Sequence, residues 1–119
     1  MESQETQMTA AGLLTFHEEL CAKAHALCAA KNHDYAGAEG LSPFRNFESI
    51  EALGVAKTEV GFLVRMIDKI NRLCTFIQDG KLTVENEGAE DALLDLINYC
   101  VLLGAYIKKN TTHDYRTGY

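Results

Sequence analysis

Apolar residues recur at spacings near 3.6 through three stretches of the chain, separated by polar and glycine-rich punctuation, and this pattern predicts three long helices. Leu13, Leu14, Phe16, Leu20, Ala24, Leu27 and Cys28 place the first at about 10–31. A connection over 32–56 follows, with the only proline, Pro43, and with Gly37, Gly40 and Gly54 as breaks; a short helical turn is expected near Glu48 to Leu53. Connections of this length are functional or disordered, and Tyr35, Phe44 and Phe47 favour order. The second long helix is expected at about 57–78, stopped by Gly80. The third is expected at about 85–109, with acids in its first turn and Lys108 and Lys109 in its last, matching the helix dipole. Residues 1–9 read as an unpatterned, frayed terminus and 110–119 as a polar tail. No repeat or strand-like alternation interrupts the pattern. The expected fold is therefore all-α, one domain over 10–109, an antiparallel bundle of three long helices plus short helical turns. Their apolar surface exceeds what three helices hide, so at least a homodimer is expected.

Composition sharpens this. A chain of 119 residues buries one core, and 47% hydrophobic with 24% charged residues is the balance of a soluble globular protein. No apolar run approaches the roughly 18 residues of a membrane span, and no signal peptide opens the chain, so a cytoplasmic location without a membrane partner is expected. Cys21, Cys28, Cys74 and Cys100 all fall in apolar helical patterns, as thiols do in a reducing compartment, and disulfides are not expected. The net charge of −6 argues against duplex nucleic acid as a partner. A small anion still binds where a metal ion or a local basic patch offsets the field.

Three polar clusters stand out. "KNHDYAG", residues 31–37, reads either as a helix end, with Gly37 as the left-handed stop and Lys31 and His33 complementing the dipole, or as a site wall formed by Lys31, Asp34 and Tyr35. In the second long helix Arg65, Asp68, Lys69 and Arg72 form one stripe, either an ordinary solvated face or a functional one. In the third, Glu87, Asp91 and Asp95 recur every four residues; Glu87 and Asp95 lie about 12 Å apart along the axis and roughly 80° apart around it. Asp95 sits among Leu93, Leu94, Leu96, Ile97, Cys100 and Val101, where a carboxylate is costly unless solvated at the helix edge, paired or bound to metal. Carboxylates from two facing helices suit Mg²⁺ or Mn²⁺, leaving Lys and Arg to hold phosphate oxygens. His17, Cys21, His25 and Cys28 carry zinc-type ligands, but one straight helix spreads them over roughly 16 Å, so packing is the better reading. No Ser, Cys or Thr stands beside an obvious base, and covalent catalysis is not suggested.

"KNHDYAG", "PFRNF", "VRMIDKINRL" and "EGAEDALLDLINYC" together resemble the nucleotide-modification-associated domain 1 family of phages and bacteria, whose pattern runs K-x-x-D-Y, F-x-N-F, R-x-x-D-K-x-x-R and E-x-x-x-D-x-x-x-D-L-x-N-Y. That family is similar in turn to the MazG-like and dimeric dUTPase-like all-α nucleoside triphosphate pyrophosphohydrolases. Those enzymes carry E-x-x-E on one helix and E-x-x-D on the next; here the second long helix offers only Asp68, the third has four-residue spacing, and Glu48 and Glu51 fall in the connection. The resemblance implies a Mg²⁺-dependent pyrophosphohydrolase acting on free, including modified, (deoxy)nucleotides in the bacterial or host cytoplasm. Asp68, Lys69, Asp91 and Asp95 become the catalytic set, with Asp68, Glu87, Asp91 and Asp95 as metal ligands. Lys31, Asp34, Tyr35, Asn46, Phe47, Arg65, Arg72, Asn98 and Tyr99 become the nucleotide-binding set. Tyr35 or Phe47 stacks on a base, Asn46 or Asn98 reads its edge, and Lys31, Arg65 and Lys69 hold phosphates. The alternatives are a non-catalytic nucleotide-binding module of the same fold and a helical oligomerisation or adaptor protein; Phe44, Phe47 and Tyr99 then simply plug the bundle.

Overall fold

The computed structural model describes residues 7–36 and 42–111, with side chains other than those of 33–36. It is all-helical, and no strand occurs among the described residues. Four helices follow one another: α1 (Ala10–Ala36), α2 (Arg45–Ala52), α3 (Thr58–Gln78) and α4 (Glu87–Asn110). Of these helices, none is long and apolar enough to cross a membrane.

Local chemistry sets most boundaries. Thr9 Oγ1 accepts the Gly12 N–H at 3.0 Å and caps the start of α1. α1 then runs five residues beyond the expected end, because Lys31 to Ala36 contains no glycine or proline. The polar run is thus the last turns of a helix; Gly37, its expected stop, lies outside the described residues. α2 starts earlier than the expected turn and ends in a Schellman motif: Gly54, at φ +77°, donates to the Glu51 carbonyl at 3.0 Å, and Val55 N–H reaches the Ile50 carbonyl at 2.9 Å. α3 ends in the same way. Gly80, at φ +68°, donates to Ile77, and Lys81 N–H bonds the Phe76 carbonyl at 2.7 Å. α4 begins where Asn86 turns back on itself, its Oδ1 accepting the N–H groups of Gly88 and Ala89 at 2.9 and 3.3 Å while Nδ2 donates to the Lys81 carbonyl.

The start of α3 is capped from outside. Glu51 Oε1 accepts both the Thr58 N–H at 2.8 Å and the Thr58 hydroxyl at 2.9 Å. These bonds, the backbone one foremost, hold the Glu51 carboxyl below its ordinary range. Glu48 is engaged as well, by Lys109 at 3.1 Å. Both acids of the E-x-x-E therefore have structural partners.

α4 is the spine. α1 and α3 each pack on it, α2 packs on α3, and among the described residues α1 and α3 do not pack on each other. At one end, Phe62 is fully buried inside an aromatic cluster: Phe47 stacks on it at 4.0 Å, with Phe44 and Tyr106 tilted against it at 6.4 and 5.8 Å. Burying such a ring contributes about 2–3 kcal/mol. Along α1, by contrast, Ala24 is the only side chain buried among those described, and Lys23 bridges to Glu90 at 3.0 Å. A helix with no single apolar face makes a thinner seam.

Candidate functional site

Because α1 and α3 meet α4 without meeting each other, a groove is left between them. It holds a pocket of about 680 Å³. α4 contributes Asp95, Asn98 and Tyr99, α1 contributes Lys31 and Asn32, and α3 contributes Val60, Val64 and Arg65. α2 closes one end with Asn46, Phe47 and Ile50. Gly61 lets α2 approach: a Cβ there lies 2.7 Å from Ile50 Cδ1.

Asp95 is the electrostatic hub. Its Oδ2 meets Lys69 Nζ at 3.0 Å and its Oδ1 meets Lys31 Nζ at 3.4 Å, so one carboxylate ties α3 and α1 to α4. This answers why an acid sits in so apolar a stretch: it is paired, twice. Arg65 adds a third cation, its guanidinium 6.0 Å from the Tyr99 ring centre. Two ammonium groups thus share one carboxylate, and a guanidinium lines the same pocket. Asn98 also lines the pocket, and its buried Nδ2 has no hydrogen-bond partner among the described residues. An unpaired buried donor costs about 1–3 kcal/mol. The pocket therefore offers a surplus of positive charge, Lys31 and Arg65 against Asp95, together with the Asn46 amide and the aromatic Phe47 and Tyr99.

Of the residues expected from the sequence, Lys31, Asn46, Phe47, Arg65, Asp95, Asn98 and Tyr99 line this one pocket. Lys69 stands behind it, holding Asp95. Arg72 lies apart, with its guanidinium over the Phe76 ring at 6.0 Å. The side chains of Asp34 and Tyr35 fall outside the described residues. Asp68, Glu87 and Asp91 are exposed and do not line the pocket. Across the α3–α4 contact it is Lys69, rather than Asp68, that meets Asp95, since neighbouring helical positions point about 100° apart. Among the described residues no three His, Cys, Asp or Glu side chains gather to hold a metal ion. As arranged here, the four acids do not fit Mg²⁺ or Mn²⁺, because their one pocket member is neutralised by two ammonium groups. His17 and Cys21 touch, with Sγ 3.8 Å from Nδ1, without forming a larger ligand set.

Sequence reasoning missed Asn32, one residue from Lys31, and the apolar walls Ile50, Val60 and Val64, which carry no chemical signal of their own. It also missed the Glu51–Thr58 cap, although an acid seven residues before a helix-opening Thr was there to read. No protein-family model matches the chain, and neither a curated protein nor a solved structure does so.

Proposed function

We propose that this chain is a nucleotide-binding protein, working as a homo-oligomer whose pocket takes a nucleotide with its phosphate end at Lys31 and Arg65, while Lys69 neutralises Asp95 from behind. The base lies toward Phe47 and Tyr99, where Asn46 and Asn98 read its edge. The observation that carries this reading is the Lys31–Asp95–Lys69 arrangement beside Arg65: a pocket with surplus positive charge in a chain of net charge −6. Oligomerisation completes the helical bundle that the exposed apolar surface leaves open.

The second reading is the Mg²⁺-dependent release of pyrophosphate from a nucleoside triphosphate. What favours it is that Arg65, Asp95, Asn98 and Tyr99, all from the family-like blocks, line one pocket. It requires Asp95 to exchange its lysines for an ion. Equilibrium dialysis against ribo- and deoxynucleoside mono- and triphosphates, in EDTA and in Mg²⁺, separates the two. Retention of a nucleotide in EDTA, lost about tenfold on Arg65→Met, is expected. Pyrophosphate release only with Mg²⁺ replaces binding by hydrolysis. No retention and no release under either condition defeats both and leaves an adaptor.

A further inference from the structure

α1 carries His17, Cys21, His25 and Cys28 on consecutive turns. As a set of four they are spread too widely along one helix for a single ion, and the structure divides them. Cys28 lines the pocket and His25 is exposed, whereas His17 and Cys21 come together, with Sγ 3.8 Å from Nδ1. Packing, the reading their spacing favours, does not account for this pair. His17 is exposed and Cys21 half-buried, and of the described side chains of α1 only Ala24 is buried.

Their separation is one that a metal ion bridges. Zn²⁺ sits about 2.3 Å from a cysteine sulfur and about 2.0–2.1 Å from a histidine nitrogen. An ion at those distances from two atoms 3.8 Å apart sees them at an angle of about 120°, and closing to the tetrahedral angle needs an approach of only about 0.2–0.3 Å. A four-residue spacing supplies this arrangement because positions i and i+4 of a helix lie one above the other on one face. The donor set also selects the ion: a thiolate with an imidazole suits zinc or copper rather than Mg²⁺, which takes oxygen ligands.

Charge favours a cation here. Glu18 and Glu19 follow His17 directly, and Lys23, the only Lys or Arg between Ala10 and Ala30, is engaged by Glu90 at 3.0 Å. We infer that His17 and Cys21 form a two-ligand site for a borderline-soft divalent ion, zinc above all, on the surface of α1. On binding, the Cys21 thiol loses its proton to solvent and the thiolate gives a lone pair to the metal, while neutral His17 donates through Nδ1 and keeps its proton on Nε2. Water fills the remaining positions, so the ion is exchangeable. The clip joins two successive turns in the part of α1 whose Leu13, Leu14 and Phe16 are exposed. It lies outside the groove and does not depend on the nucleotide reading.

The experiment titrates the reduced chain with Co²⁺, whose thiolate complexes absorb in the near ultraviolet, and then with Zn²⁺. A charge-transfer band that saturates at one ion per chain and is bleached by Zn²⁺ is expected. Cys21→Ser abolishes it, and His17→Gln weakens binding at least about tenfold, since losing even an outer-shell partner of a metal ligand costs about 10–100-fold. His25→Gln leaves the band unchanged, and so does the double variant Cys74→Ser/Cys100→Ser, which removes the two exposed thiols. On the unaltered chain, Zn²⁺ blocks iodoacetamide labelling of Cys21 and leaves that of Cys74 as before, a readout by peptide mass spectrometry that stands even if a variant fails to fold. No band, a band that survives Cys21→Ser, equal affinity in His17→Gln, a band lost in His25→Gln, or Cys21 labelling unchanged by Zn²⁺ overturns the inference.

Discussion

Replacing Asp95 by Asn keeps the shape of the side chain and removes the charge that ties three helices together. At an effective dielectric of 20, the bare attraction is about 5 kcal/mol for each of the two contacts, at 3.0 and 3.4 Å. Exposure and desolvation reduce this steeply. The Lys31 side chain is 44% exposed, so its pair belongs with surface bridges worth about 0.2–1 kcal/mol. Lys69 is 23% exposed against 15% for Asp95, and this closer, less exposed ion pair contributes about 1 kcal/mol. Asp95→Asn is therefore expected to cost about 1–2 kcal/mol, a urea midpoint shift of roughly 1 M at the slopes usual for small domains. The assay is urea unfolding followed by circular dichroism at fixed protein concentration. Double-mutant cycles with Lys69→Met and Lys31→Met apportion the loss. The same variant frees two ammonium groups beside the pocket, so metal-free nucleotide binding should tighten several-fold. A cost under about 0.5 kcal/mol, stronger coupling to Lys31 than to Lys69, or weakened anion binding refutes the role assigned to Asp95.

Glu51→Gln removes the charged cap of α3 and lowers the melting temperature at neutral pH. Because the folded Glu51 carboxyl titrates below its ordinary value of 4.5, its stabilisation is present above that value and is lost as pH falls through the folded one. The gap between wild type and variant in thermal melts should therefore close in acid. Gly80→Ala meets no neighbour within 4 Å but forces a side chain to φ +68°, and a loss of about 1 kcal/mol in chemical unfolding is expected. Phe62→Ala empties the centre of the aromatic cluster at a cost of about 3–5 kcal/mol, a large share of the stability of a chain of this size, read as a melting temperature lowered by roughly 10 °C or more.

The ends of α3 and α4 were legible because their signals are local. Gly80 is a backbone stop, and the acids of the first turn of α4 and Lys108 and Lys109 in its last answer the helix dipole. The end of α1 was half legible: apolar spacing fades near 31, whereas "KNHDYAG" read as a helix end carries the helix on, and it runs to Ala36. α2 was half visible. Its eight residues carry too few apolar positions to show a period, and it is held by Gly54 and by packing of Phe47 and Ile50 on α3. At the site, polar residues in family-like blocks converge, because their spacing fixes a face of each helix. Which neighbour on that face meets Asp95 depends on the rotation of α3 against α4, and periodicity does not encode it. The apolar walls were invisible for a simpler reason: Val60 and Val64 look like core until nothing is found to cover them.

The division of contacts around α4 makes the molecule mechanically lopsided. α2, α3 and the end of α4 are fused by a shared aromatic centre, so moving one drags the others. α1 is joined through small side chains and two ion pairs that involve exposed lysines. Such joints slide at little cost, whereas packed aromatic cores move as blocks. The groove is thus a vice with one fixed jaw and one sliding jaw, and Asp95 is its set screw. Breaking the Lys31–Asp95 pair would therefore free the α1 side of the cavity and leave the α3 side in place.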